Sequence, residues 1–356
     1  MKLHILILST GKPSKHLIDA IESRWHTWEC YAPDELYLLV SDSVNGYDKL
    51  YAENGQKEPK KLHLRGFDAV MTRLGSSNEY GLTVLSHITE NLDIYSAQTA
   101  NGIQTASNKM WTSQAVSKAG LRNPVTVFAK NPTNIPFLIR SVGGLPCVVK
   151  SVRGSQGTGV VKMENEQQTK ATLELLHGKG IDTLLQKYIE GGGKDYRVIV
   201  VGDKVICTME RSSKDGFKAN LSQGGQGRSV ELIQEHKDFA VRASKAIGLD
   251  FSGVDIMVDK RGKAYLIEIN SNPGTGSIDI CKHNWFVDWI KLIEQNVNQK
   301  QNLSRNQGSI KSNALWLNDG YKDADNGVGL NIPKGYSKDV IQSYVDGFHK
   351  WSEWNN

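Results

Sequence analysis

The sequence predicts a mixed α/β fold: an N-terminal α/β domain followed by a larger region rich in antiparallel hairpins. Three observations point there. Residues 1–99 alternate short apolar strands with helical stretches. From Asn108 onward, hairpins alternate with amphipathic helices. No apolar run approaches the roughly 20 residues that span a bilayer, so no membrane partner is expected.

The elements follow in order. LHILILS (3–9) reads as a buried strand; it resembles a secretion signal only superficially, because it carries His4 and lacks a small-residue cleavage site. SKHLIDAIESRW (14–25) is a helix with Ser14 as its N-cap. GFDAVMTRLG (66–75) is a strand running into a loop. No GxGxxG follows the first strand, which excludes a dinucleotide fingerprint. NKMWTSQAVSKAG (108–120) is a helix closed by Gly120, and PVTVFAK is the strand after it. LPCVVKSV (145–152) and GVVKME (159–164) flank a glycine loop, QQTKATLELLHGKG is a helix, and TLLQKYIE (183–190) is a strand. DYRVIVVGDKVICTMER (195–211) is a hairpin turning at Gly202-Asp203. EHKDFAVRASKAIGL is a helix, FSGVDIMVDKRGKAYLIEIN (251–270) a second hairpin, and WFVDWIKLIEQNV the closing helix. Residues 298–313 are polar and almost free of aliphatic residues, as in a linker. Beyond them Ser337 can cap a helix with one apolar stripe, Val340, Ile341, Tyr344, Val345 and Phe348, suited to docking on the body or a neighbouring subunit.

Composition excludes several classes. Of 356 residues, 39% are hydrophobic and 23% charged, as in ordinary globular proteins. The net charge of +5 is too weak and dispersed for a nucleic-acid partner, although it suits polyphosphate and acidic substrates. The four cysteines, Cys30, Cys147, Cys207 and Cys281, lie far apart without CxxC pairing, so neither a zinc site nor a redox motif is indicated and a cytoplasmic location is expected. The nine histidines form no HExxH cluster. Asp323, Asp325 and Gly327 fail as a calcium loop, since the glycine falls one place early and no Glu follows at the required spacing.

Two features carry chemistry. GSQGTG (154–159) lets backbone N–H groups approach an anion closely. It lacks the GK[ST] of a Walker loop and runs into a β-branched strand, so it reads as a lid between antiparallel strands. Lys150 lies in the apolar strand CVVKSV just before this loop, where a lysine needs a negative partner. Lys109, opening the preceding helix, is a second candidate for phosphates. The other feature is the second hairpin. With Arg261-Gly262 as a two-residue turn, Asp255 falls opposite Glu268, and Asn270 shares the face of Glu268. Facing carboxylates repel, and a hard divalent ion such as magnesium resolves that cost.

With these residues in view, residues 1–297 resemble an ATP-grasp ligase of the RimK type, a family of glutamate ligases that modify protein or peptide C-termini. The matching stretches are NKMWTSQ, VVKSVRGSQGTGVV, LLQKYIEG with KDYRVIVVGDKV, ERSSKDGFKANLSQGG, and GVDIMV with IEINSNPG. The resemblance implies an ATP-grasp fold: a pre-ATP-grasp domain (1–99), a central lobe carrying the lid (100–185), a C-terminal lobe with the metal site (186–297), and a linker with C-terminal extension (298–356). It implies ATP and two magnesium ions, with manganese as a substitute. Lys150, with Lys109, Gly154, Ser155 and Gly157, would meet the phosphates. Gln186, Lys187, Tyr188 and Ile189 would lie along adenine on an interlobe strand. Asp195, before Glu190, would meet the ribose, and Arg197 and Arg211 the phosphates and the carboxylate. Lys218, Ala219 and Asn220 stand where the RimK pattern reads Arg-Ser-Asn, a departure that bears on substrate. Asp255, Glu268 and Asn270 would bind the metals.

The implied activity is carboxylate–amine ligation through an acyl phosphate, adding an amino acid such as glutamate to a peptide or protein C-terminus, in a homo-oligomer. Rival readings are a peptide-cyclising ligase, a small-molecule amino-acid ligase, and a non-enzymatic ATP sensor. Intact Lys150, Asp255, Glu268 and Asn270 speak against the sensor.

Overall fold

The computed structural model describes residues 1–40, 49–74, 79–154, 159–213 and 226–303. Residues Met1–Val297 make one compact unit and Asn298–Asn356 a second. The tail helix expected from Ser337 and the rejected calcium loop lie outside the described residues.

The first strand sets the pattern. β1 (His4–Ser9) is followed by α1 (Lys15–Glu22), whose N-cap Ser14 accepts from the Leu17 amide. β2 (Thr27–Tyr31), β3 (Leu36–Leu39), β4 (Lys49–Ala52), β5 (Lys60–His63), β6 (Ala69–Arg73) and α2 (Glu79–Ser86) complete the region. β2, β1 and β6 form a parallel sheet, and β3, β4 and β5 a small antiparallel one. β1 is apolar on both faces because parallel strands are covered on both sides. Alternation sends Ile5 and Ile7 into one core and Leu6 and Leu8 into another.

The next segment begins with α3 (Ala100–Ala106) and α4 (Lys109–Lys118), the latter capped by Asn108 accepting from the Met110 and Trp111 amides. β7 (Thr126–Phe128), α5 (Ile135–Ser141), β8 (Cys147–Ser151), β9 (Val160–Met163), α6 (Glu166–Gly178) and β10 (Thr183–Lys187) follow. The four strands form an antiparallel sheet in the order β7-β10-β8-β9 with its own core around Ile139, Val149, Leu173 and Leu185.

The largest sheet is antiparallel, in the order β13-β12-β11-β14-β15. Its strands are β11 (Lys194–Val201), β12 (Lys204–Ser212), β13 (Gln226–Ser229), β14 (Phe251–Val258) and β15 (Ala264–Asn270), with α7 (Gln234–Ala246) between the third and fourth. α8 (Gly276–Cys281) and α9, a helix described over 286–303, close the unit. One face of β11 and β14, with Val198, Val200 and Val254, joins Leu6, Leu8 and α7 in a common core. The other face, with Ile199, Val201 and Phe251, packs with Ile5, Ile7 and α9, where Phe251 and Trp289 stack at 3.8 Å between ring centroids. Arg24 grips Glu294 of α9 through two bonds of 2.8 and 2.6 Å, and His26 meets the same carboxylate at 2.7 Å. The N-terminal parallel sheet and the five-stranded sheet are thereby one packed body, which fixes the loop ends of β1 and β6 beside β14 and β15. Among the described residues no helix is long and apolar enough to cross a membrane.

Candidate active site

The site is a row of charge across four adjacent strands. Asp195 on β11 is the register partner of Arg211 on β12, Arg197 on β11 that of Asp255 on β14, and Asp255 that of Glu268 on β15. Period-two alternation puts Asp195 with Arg197, and Glu268 with Asn270, on common faces. Arg211 holds Asp195 through two bonds of 2.7 Å and reaches Asp255 at 2.9 Å. Arg197 grips Asp255 through both Nε and Nη2. Burial works against charge on Asp255, but Arg197 and Arg211 outweigh it and hold the carboxyl below its ordinary range. Glu268 goes the other way: burial and the facing Asp255 push its pKa up, against the pull of Lys109, Arg197 and Lys150.

The register at Asp255 and Glu268 agrees with the sequence expectation, but the route to it differs. The turn is not a two-residue Arg261-Gly262 loop. Asp259 and Lys263 close it instead, Asp259 N donating to the Lys263 carbonyl at 3.0 Å and Gly262 standing at φ 75°. A bulge at Asp255/Ile256, where Ile256 pairs with Leu266, then restores the expected alignment. Asp259 drives the longer loop, because its carboxylate accepts from the Arg261 and Lys263 amides at 2.9 Å each.

The opposite wall comes from the four-stranded sheet and α4. The Lys109 amide donates to Val152 at 3.1 Å, anchoring the helix start to the end of β8. Lys109 Nζ donates to the Gly154 carbonyl at 2.9 Å, at the mouth of the glycine loop. Lys150 is buried and donates to Gln186 Oε1 at 2.6 Å, while Gln186 Nε2 donates to Thr126 at 3.0 Å. Desolvation lowers the pKa of both lysines, that of Lys150 to about 8, and Glu268 pulls each back up. Lys109, Lys150, Gln186, Leu266, Glu268 and Ile269 are among the residues lining a cleft that opens to solvent. Gly154 and Gly159, at φ 126° and 75°, bracket the loop, and a Cβ on Gly159 would come within 2.9 Å of Ser151 Oγ.

Several expected residues are placed differently. Asp195 is committed to Arg211, so a role at the ribose would require that fork to open. Glu190 is exposed and paired with Lys260 at 2.5 Å. β10 ends at Lys187, so Tyr188 and Ile189 follow the strand rather than lie on it; Ile189 is buried, and Lys162 sits 5.0 Å above the Tyr188 ring. Gln186 turns its side chain to Lys150. Arg197 and Arg211 face carboxylates of the protein itself. Ser155, Gly157, Lys218, Ala219 and Asn220 lie outside the described residues. One contributor was not foreseen from the sequence. Gln98 accepts from Thr72 Oγ1 and donates to the Phe251 carbonyl at 3.1 Å and to the Ser271 carbonyl, tying β6 to β14 and to the loop after Asn270. Nothing local to Gln98 signals this, since its partners are far off in sequence.

The donor set fits a hard cation. Glu268 is a carboxylate lining the cleft; with the Asn270 amide oriented to satisfy its neighbours, its nitrogen donates to Glu268 Oε1 at 3.2 Å and its oxygen accepts from Arg197 Nη2 at 3.2 Å. Turned with its oxygen toward Glu268, the same amide would give, with Glu268 and Asp255, three oxygen donors of the kind magnesium takes, once Asp255 gives up one of its bonds to Arg197 or Arg211. Four cationic side chains (Lys109, Lys150, Arg197, Arg211) outnumber three carboxylates (Asp195, Asp255, Glu268), so the site favours a polyanion.

The low pKa of Lys150 has a measurable consequence. If Lys150 meets the phosphates, as expected from the sequence, a triphosphate beside Nζ stabilises the ammonium, and ATP binding near pH 8.5 takes up roughly three-quarters of a proton, read from calorimetry in buffers of different ionisation enthalpy. Lys150→Ala abolishes that uptake and weakens ATP binding at least ~10-fold. Unchanged uptake in the variant would remove Lys150 from the phosphates.

Comparison with known proteins is consistent with this geometry. The RimK-like ATP-grasp domain family matches residues 106–292. A probable alpha-L-glutamate ligase of Pseudoalteromonas translucida (strain TAC 125) is 34% identical over 86% of this chain and 100% of its own length. One from Photobacterium profundum is 38% identical over 84% and 97%. Among solved structures, the ATP-grasp ligase PsnB complexed with a minimal precursor superposes with a TM-score of 0.63 at 18% identity, covering 83% of this chain and 98% of that one. A RimK domain ATP-grasp protein from Sphaerobacter thermophilus DSM 20745 gives 0.58 at 16% identity, covering 81% and 98%. At such identities these two establish the fold.

Proposed function

The chain belongs to the RimK-like ATP-grasp family and is an ATP-dependent carboxylate–amine ligase, and on that footing we propose that it joins an amino acid, glutamate in the first instance, to the C-terminal carboxylate of a peptide or protein. The observation that carries this reading is the charge row of Arg211, Arg197, Asp255 and Glu268 facing Lys109 and Lys150. The relatives named as glutamate ligases, matched over nearly their full length, support the choice of amino acid.

Each residue then has a task. Lys109 and Lys150 hold the triphosphate of the substrate ATP. Asp255, Glu268 and Asn270 hold magnesium, which supplies charge neutralisation on the phosphates when bound. Arg211 and Arg197 lean between their carboxylate partners and the substrate, presenting fixed positive charge where negative charge develops. The substrate carboxylate attacks the γ-phosphorus and displaces ADP, giving an acyl phosphate. The amine then displaces phosphate. No side chain serves as a covalent nucleophile.

The test is mass spectrometry of a reaction containing the full chain, magnesium, ATP, pooled amino acids and peptides. The expected product is a peptide heavier by one or more glutamyl residues, with one ADP per bond. A peptide that loses water instead would indicate cyclisation, and ADP release with free amino acids alone would indicate a small-molecule ligase; either result replaces the proposed substrate class.

A further inference from the structure

Five buried side-chain polar atoms lack partners among the described residues, and two of them lie on segments joined by a hydrogen bond from Arg73 to Pro273: Arg73 Nη1, a donor, and Asn272 Oδ1, an acceptor. Arg73 is the last residue of β6, paired with Ser9 at the end of β1, so it stands at the C-terminal edge of the parallel sheet. Open α/β sheets bind ligands at that edge. Arg73 Nη2 donates to the Pro273 carbonyl at 3.1 Å, and the guanidinium lies 5.5 Å from the centre of the Phe286 ring. That leaves its Nη1 edge without an acceptor. Burial lowers the Arg73 pKa to about 10, with no carboxylate among the described residues to offset it. Arg197 and Arg211, by contrast, each hold an aspartate.

The unpaired acceptor sits next door. Asn272 precedes the proline that Arg73 binds and lies two residues beyond Asn270. The loop they share is fixed from two sides. Gln98 holds the Ser271 carbonyl, and Pro273 packs on Gly253, where a Cβ would meet Pro273 Cβ at 2.9 Å and Arg197 Cδ at 3.0 Å. The loop therefore runs from the charge row to Arg73 without a gap. Burying a donor and an acceptor unsatisfied is costly, and neither relieves the other. An α-amino acid offers both at once: its carboxylate accepts from the guanidinium and matches its charge, and its amine donates an N–H to the amide oxygen.

We propose that Arg73 and Asn272 form the subsite for the amine-donating amino acid, Arg73 binding its α-carboxylate and Asn272 accepting an N–H from its α-amine. This rests on the ligase reading above. The amine, held neutral at the loop that follows Asn270, forms the C–N bond with the acyl carbon. The bond from that carbon to the phosphate oxygen breaks, phosphate leaves with its electron pair, and the amine gives up one proton to it. Both residues bind substrate and neither has a role in forming the acyl phosphate.

The test uses the full chain with magnesium, ATP and a glutamate-terminated peptide, and compares L-glutamate with 4-aminobutyrate, which lacks the α-carboxylate. A site built to pair a charged group rejects the analogue lacking it, so the wild type prefers glutamate by about 10²-fold or more in kcat/KM. Arg73→Gln raises the KM for glutamate by about 30-fold or more, shrinks the preference to within about threefold, and leaves peptide-dependent ADP release and the KM for ATP near wild type. Asn272→Ala raises the KM for both amines alike. A wild-type preference retained in Arg73→Gln overturns the proposal. If that protein melts before assay, Arg73→Lys takes its place, because a lysine lacks the fork; a wild-type KM for glutamate there overturns the proposal equally. Absence of any peptide-dependent ADP release in the wild type would instead fail the peptide-ligase reading. The same comparison then runs on whichever amino acid the pooled reaction incorporates, against its decarboxylated amine.

Discussion

Glu268→Gln lowers magnesium-dependent turnover by about 10²–10³-fold while the protein stays folded, measured as ADP release across a magnesium titration. Glutamine keeps the shape of the side chain and removes the charge that faces Asp255 across the β14–β15 pair. Turnover falls because three oxygen donors with only one charge hold a divalent ion poorly. Stability moves the opposite way. The folded-state pKa of Glu268 is raised, so the charged carboxylate costs stability once the pH passes from the ordinary carboxylate range up through the folded value. At pH 7 the variant without metal therefore melts higher than the wild type. The gain is limited, because Lys109 and Lys150 lose the anion that draws their protons. An unchanged magnesium dependence would remove Glu268 from the metal site.

Arg211→Lys lowers kcat by about 10²–10³-fold, with the KM for ATP changed by no more than about threefold. Arg211 is buried, forks onto Asp195 and touches Asp255 at once, a geometry an ammonium does not reproduce. The charge is kept, so buried Asp195 and Asp255 are not abandoned and the fold survives. A residue needed only for folding would give the reverse result: a lower melting temperature with wild-type kcat in the folded fraction. Steady-state kinetics beside thermal melts separates the two.

Much of the site was legible in the sequence. Alternation along β15 puts Glu268 and Asn270 on one face, and the buried lysine in CVVKSV marks a polar target before the glycine loop. These are local regularities, because side-chain direction in a strand follows from residue number alone. The hairpin shows the limit of such counting. A two-residue turn and an unbroken ladder give the same pairing as a longer loop followed by a bulge, and only the backbone of Asp259–Lys263 distinguishes them.

Fold class, the order of strands and helices, and the charged residues of the row are all written in patterns a few residues long, so the chain's own lettering is enough to find them. Who neutralises whom is a matter of packing. Arg197 and Arg211 hold Asp255, which leaves Glu268 opposite the lysines. Packing also brings Arg73 and Gln98 of the first hundred residues against the loop that follows Asn270, up to 200 residues along the chain. Contacts at that separation depend on how two sheets meet through a shared core, and no local spacing in the chain encodes that meeting.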